Sequence, residues 1–409
     1  MQTLHSRPRA LARRELLRAG LYGVGLGALG VPAVFNRSVA QAADPAAGRI
    51  LVVVELSGAN DGLNTVVPYI DDAYYRARPA LGIRPDKLRK IDDRFGFQIA
   101  MAGFERLYKD GRLAIVHGVG YDRPSFSHFS SMAYWHTGAP NGGETYGWLG
   151  RLADAIDPAG SAGYLVNVDS HQSLAVSARN HVPLVFDDPG KFSREGVAEE
   201  QAALRKLIGR DGARNRAEGF VFDVAHSAQD AETRVREACA DYRTPVDYGL
   251  LRFGLERVAA LISAGFATKI YYVALRNNVF DTHVYQADVH ARLWTYTSDH
   301  IAAFVKDIDR LGRGDDVAVM VFSEFGRRVA ENTSLGTDHG TAGPVFVIGK
   351  AVKGGHYGEA PSLTDLDDGN LRYTTDFRRV YATLIRGWVG CPDVAAVLRQ
   401  EFQTIAMFA

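Results

Sequence analysis

Cysteine is nearly absent from this chain. Its 409 residues include only Cys239 and Cys391, which excludes a cysteine-rich structural zinc site and leaves one disulfide or two free thiols open. Surplus charge of either sign is absent as well. Lys+Arg and Asp+Glu both number 47, so no net field draws the chain to nucleic acid, and no basic stripe interleaved with aromatics is present. Internal repeats and low-complexity linkers are missing too. What remains, 46% hydrophobic and 23% charged residues, is an ordinary globular composition that supports a large core, as one big domain or two small ones.

The N-terminal residues stand apart from the fold. Ala12-Arg13-Arg14-Glu15-Leu16-Leu17 precedes a run of small and apolar residues from Ala19 to Val34, and Ser38-Val39-Ala40 and Ala40-Gln41-Ala42 offer small residues at cleavage spacing. This pattern predicts a targeting signal over residues 1–42 rather than a membrane span. The arginine pair followed by Leu-Leu resembles the twin-arginine export signal, a pathway for folded proteins. The expected partner is therefore that export machinery, the expected location is the periplasm or the cell exterior, and no stable membrane span is expected after cleavage.

Residues 43–409 read as a single α/β domain. Ile50–Leu56, Leu113–Val119, Ile270–Leu275 and Val317–Phe322 are continuous apolar runs without alternation, as strands buried on both faces of a mostly parallel sheet require. Pro344–Gly349 reads as a further strand. Helices are expected over Ala102–Lys109, from the region of Ser127 to Trp135, over Tyr248–Ala264, along a long stripe from Val289 to Leu311, and over Asp376–Trp388. A mainly helical insertion, carrying His226, is expected at about 157–245, beside the sheet. His290 and His300 read as partly exposed helix residues.

Each of the four strands is followed by a polar cluster. These are Ser57-Gly58-Ala59-Asn60-Asp61-Gly62-Leu63-Asn64, Ser125-Phe126-Ser127-His128, Phe280-Asp281-Thr282-His283, and Ser323-Glu324-Phe325-Gly326-Arg327 with Thr337-Asp338-His339-Gly340. The first is not a phosphate-cradling loop, since it has neither the lysine nor the three-glycine spacing. In an open α/β sheet the C-terminal strand ends lie together, so Asp61, Ser127, Asp281, His283, Asp338 and His339 are expected to converge. Carboxylates and imidazoles suit one or two divalent cations: zinc, manganese, calcium or magnesium. Ser127 falls near a helix N-terminus, where it is either a simple cap or a nucleophile aimed at phosphorus or sulfur. Arg327 is a candidate clamp for a substrate oxygen.

Together with Gly147-Trp148-Leu149-Gly150-Arg151, these motifs resemble an exported bacterial domain-of-unknown-function family, number 1501. The resemblance covers essentially the whole chain. That family is grouped by remote similarity with the alkaline phosphatase and sulfatase superfamily, which implies an alkaline-phosphatase-like three-layer α/β/α sandwich. The superfamily pattern implies Asp61 as the first metal carboxylate, with Asn60 and Asn64 as rivals; Asp338 with His339, and Asp281 with His283, as further ligands; His356 as a last histidine; and Ser127, or else Ser125, as nucleophile. No Cys/Ser-x-Pro-x-Arg stretch is present, so a formylglycine sulfatase is disfavoured. The expected function is an exported metal-dependent hydrolase of phosphate or sulfate esters. The alternative is a non-catalytic secreted binding or assembly protein on the same fold.

Overall fold

A computed structural model describes residues 48–190 and 231–408. The twin-arginine segment, His226 and residues 191–230 of the expected insertion lie outside the described residues. In chain order the strands are β1 (Ile50–Leu56), β2 (Val66–Val67), β3 (Leu88–Lys90), β4 (Gly96–Gln98), β5 (Leu113–Gly120), β6 (Leu165–Val168), β7 (Leu184–Phe186), β8 (Ile270–Leu275), β9 (Val317–Phe322), β10 (Gly343–Gly349), β11 (Gly355–Tyr357), β12 (Leu366–Asp367), β13 (Asn370–Leu371) and β14 (Thr375–Asp376). Nine of them form one sheet in the order β11-β5-β10-β9-β1-β8-β6-β7, with β14 pairing β5 at the end of its run. Only β10 runs antiparallel, to both β5 and β9. The strand at the centre is β1, flanked in parallel by β8 and β9, with Val53 opposite Tyr272 and Met320.

The unbroken apolar runs follow from the layering. Along β1, Val52 and Val54 enter one core with Phe104, Leu261, Trp294 and Phe304; Leu51 and Val53 enter the other with Trp135, Trp148, Tyr381 and Trp388. Helices Ala102–Lys109, Leu255–Ser263 and Gln286–Arg310 cover the first face, and His128–Thr137, Trp148–Ile156 and Phe377–Ala382 cover the second. Strand interiors that face a layer on both sides have no room for a polar alternation. The result is the three-layer α/β/α sandwich with a mostly parallel sheet.

Several elements differ from the sequence expectation for local reasons. The helix expected from Tyr248 starts at Leu255, because Gly254 sits at φ 110°, outside the helical region. β6 and β7, inside the stretch read as an insertion, extend the main sheet next to β8. β2, β4 and β3 form a separate three-stranded sheet, too short and too interrupted by proline to show a period. His290 and His300 are not partly exposed: they are 1% and 0% exposed. Each is satisfied inside, His290 between Asn60 and Gln98 and His300 against Tyr248 O and Glu256. Cys239 and Cys391 are both free thiols. Among the described residues no helix is long and apolar enough to cross a membrane.

Candidate metal centre

The C-terminal ends of β1, β8 and β9 are stitched together before any site is made. After β1 the chain turns through Gly58 at φ 112° and Ala59 at φ 63°, and a Cβ on Gly58 would fall 2.6 Å from Asp281 N. Only glycine permits that approach. The turn points two backbone N–H groups at Glu324, which follows β9: Gly58 N donates to Oε1 at 2.9 Å and Ala59 N to Oε2 at 3.1 Å. Arg327 completes the seam. It is 1% exposed and donates from Nε to Ala59 O at 2.7 Å, from Nη1 to Thr337 O at 2.8 Å, and from Nη2 to Gly58 O and Asp281 Oδ1, both at 2.6 Å. With His283 Nε2 at 3.3 Å from Nη1, all five guanidinium N–H groups face protein atoms. The structure thus places Arg327 as a tie between loops, with no donor left for a substrate oxygen. Gly340 lets the next loop close in, since a Cβ there would lie 2.4 Å from Arg327 C.

On this seam converge His128, Asp281, His283 and His339. His128, Asp281 and His339 each offer a ligand atom, all within 4.8 Å of one another. The three imidazoles share one arrangement. Each is anchored through Nδ1: His128 to Glu324 Oε1 at 2.6 Å, His283 to Asp338 Oδ1 at 3.3 Å, and His339 to Phe126 O at 2.8 Å. Those partners are acceptors, so Nδ1 carries the proton and Nε2 is left with its lone pair. Each Nε2 then faces the Asp281 carboxylate, at 3.4 Å for His128, 2.9 Å for His283 and 3.1 Å for His339. His283 Nε2 and His339 Nε2 are 3.0 Å apart, and His128 Nε2 is buried without a hydrogen-bond partner. Arg327 Nη1 faces the His283 Nε2 lone pair, so the group left open to a proton or a cation is His128, Asp281 and His339.

The electrostatics suit such an occupant. The His128 pKa is raised, first by its hydrogen bond to Glu324, with burial opposing and the Glu324 and Asp281 charges adding. Burial lowers the His339 pKa despite its bond to Asp281. For Asp281, burial alone would raise the pKa, but the hydrogen bond and charge of Arg327 outweigh it and hold the carboxylate below its ordinary range. The centre therefore combines an ionised carboxylate with imidazoles turned nitrogen-inward, which is how metal-bound histidines are held by their outer partners.

The other residues singled out from sequence fall in different places. Ser127 caps helix His128–Thr137, its side chain accepting from Ser130 N, and it is exposed. Its neighbours enter the centre on both sides, Phe126 through its carbonyl and His128 through its ring. Ser125 Oγ accepts from Ser127 N at 3.2 Å. Asp338 lies one shell out, as the anchor of His283, steadied by Asn332 at 3.0 Å. Asp61 is not brought into the group. It is fully buried, ion-paired to Arg78 at 2.6 Å, and linked through Gln286 to Thr282 and Thr337 in the loops of His283 and His339. Asn60 and Asn64 are likewise turned inward, toward Trp294 and toward Arg78 and Tyr74. His356 sits on edge strand β11, stacked on His117 and 2.9 Å from Asp92, with β5 and β10 between it and β9. His128 and Glu324 are the site residues that strand-end reasoning passed over. The signal available was a histidine just after the Ser127 cap and a glutamate closing β9.

A family model described as "Protein of unknown function (DUF1501)" matches residues 49–384. No curated protein matches the chain. Among solved structures, the C-terminal periplasmic domain of EcEptC from Escherichia coli is similar at 12% identity, over 92% of this chain and 93% of that one, with a TM-score of 0.35. PsFucS1 sulfatase from Pseudoalteromonas sp. is similar at 11% identity, over 83% and 68%, with a TM-score of 0.36. The lipoteichoic acid synthase LtaP from Listeria monocytogenes is similar at 10% identity, over 84% and 72%, with a TM-score of 0.34.

Proposed function

Because the chain belongs to the DUF1501 family of proteins of unknown function, membership brings no activity with it, and we infer one from the site: an exported, metal-dependent hydrolase of phosphate or sulfate esters. The observation that carries this reading is the common anchoring of His128, His283 and His339 through Nδ1, which turns every Nε2 onto Asp281. Nitrogen-rich donors with one carboxylate suit zinc better than calcium or magnesium, which take oxygen ligands. A cation held there would supply charge to offset an oxyanion and lower the pKa of a nearby hydroxyl or water.

The chain's own groups would do the rest. Ser127 stands at the N-terminus of helix His128–Thr137, where free backbone N–H groups and the helix dipole favour a bound oxyanion. Its Oγ would give up its proton and attack phosphorus or sulfur, and the ester oxygen would leave with the bonding pair and take up that proton. Water would then cleave the Ser127 ester and restore the hydroxyl. Arg327, Glu324, Asp338 and Gln286 would keep the ligand loops in place without touching substrate.

The test is a panel of phosphate and sulfate monoesters and diesters offered to the zinc-loaded mature chain and to Ser127→Ala. Turnover of one ester class, reduced at least about a thousandfold in Ser127→Ala while its zinc content is kept, is the expected result. Bound zinc with no turnover across the panel would leave the non-catalytic binding protein as the function.

A further inference from the structure

Soluble proteins seldom display large apolar side chains together, yet the loops that carry this centre expose five. Phe129 is 89% exposed, Tyr285 72%, Val284 54%, and Phe126 and Leu335 42% each. All five are close chain neighbours of the converging groups. Phe126 and Phe129 flank Ser127 and His128, Val284 and Tyr285 follow His283, and Leu335 precedes Asp338.

Two of them are held outward at a conformational cost. Tyr285 has φ 46° and Leu335 φ 58°, a left-handed backbone that bulky residues avoid. The two strained positions are paired to each other's loops, Tyr285 N donating to Ser334 O at 3.0 Å and Gln286 N to Leu335 O at 2.8 Å. The loops are locked in contact, since a Cβ on Gly336 would lie 2.1 Å from His283 O. Among the described residues, Tyr285 and Leu335 thus keep a costly backbone conformation while their side chains stay exposed.

We propose that this collar binds the apolar body of an amphiphilic substrate whose phosphorus or sulfur oxyanion sits at the centre. The inference rests on the hydrolase reading for the headgroup, and the collar supplies the substrate class. None of the five collar side chains is charged, while the hydrolase reading puts an oxyanion at the centre whose loops carry them, so one ligand with a charged head and an apolar tail fits both. Each methylene covered by the collar is worth about a fourfold gain in affinity.

The test is calorimetric binding of methyl-, butyl- and octylphosphonate, which cannot be hydrolysed at the P–C bond, to the zinc-loaded mature chain and to Phe129→Ala/Tyr285→Ser. Affinity should rise at least about tenfold from methyl to octyl in the wild type, and the rise should flatten in the double variant while zinc content is kept. Equal affinity along the series would overturn the proposal. So would sedimentation showing a dimer that the double variant abolishes, which would assign the collar to a second copy. Length-dependent binding with no turnover of any ester would sink the hydrolase reading alone and leave the collar standing.

Discussion

Glu324 is the residue whose replacement says most about this architecture. Its side chain is fully buried and accepts from Gly58 N, Ala59 N, His128 Nδ1 and Ser323 Oγ. Glu324→Ala strands two backbone donors and one imidazole donor in a dry seam. A hydrogen bond to a charged group is worth about 1.5–3 kcal/mol, and the donors share one acceptor group, so the losses do not add fully. The expected cost is about 3–5 kcal/mol, or roughly 5 °C in Tm for a chain of this size. Glu324→Gln keeps one acceptor oxygen but turns an NH2 group toward a donor, and should cost about half as much. Urea unfolding in chelator reads these values. Zinc titration of the same variants should show a 10–100-fold loss of affinity, because His128 loses its anchor. Less than about 1 kcal/mol for the alanine variant, or unchanged zinc affinity, would refute the seam as described.

Arg327→Lys should cost about 3–5 kcal/mol in the same assay, since one ammonium cannot reach the carbonyls of Gly58, Ala59 and Thr337 and the Asp281 carboxylate together. Acid should weaken the metal-free chain through its buried histidines. His290 is pulled down to about 4 by burial and His117 to about 3, again by burial first and then by His356. A lowered histidine pKa means the neutral form is the folded one, so its contribution is whole above the unfolded value of about 6.5 and is lost as pH falls toward the folded values. For His290 this amounts to about 3 kcal/mol. His290→Asn should be less stable at pH 7 and show a shallower acid limb. A limb of unchanged slope would remove His290 from the account.

The sheet was legible in the sequence because its strands are buried on both sides, and continuous apolar runs such as Val317–Phe322 have no other explanation at that length. The convergence of the loops of Asp281, His283 and His339 was legible for a related reason: polar clusters at the C-terminal ends of parallel strands share one edge. What could not be read was the partner of each polar group. Asp61 looks like a ligand until Arg78, which caps the short helix Asp72–Ala77, is found against it. Arg327 looks like a substrate clamp until backbone carbonyls from two loops and the Asp281 and His283 side chains of a third use up its donors. His290 and His300 carry no sequence mark of burial, because a histidine on a helix is paid the same pattern whether water or Asn60 faces it. His128 was hidden by the serine before it, which drew attention as a cap or nucleophile.

Hydrolysis at this centre needs a cation among His128, Asp281, His283 and His339. Elemental analysis of the gently purified mature chain, beside Asp281→Asn and His128→Ala, tests it directly. About one equivalent of zinc in the wild type, lost from both folded variants, is the predicted result. A folded wild type without metal, or zinc retained equally in both variants, would contradict it.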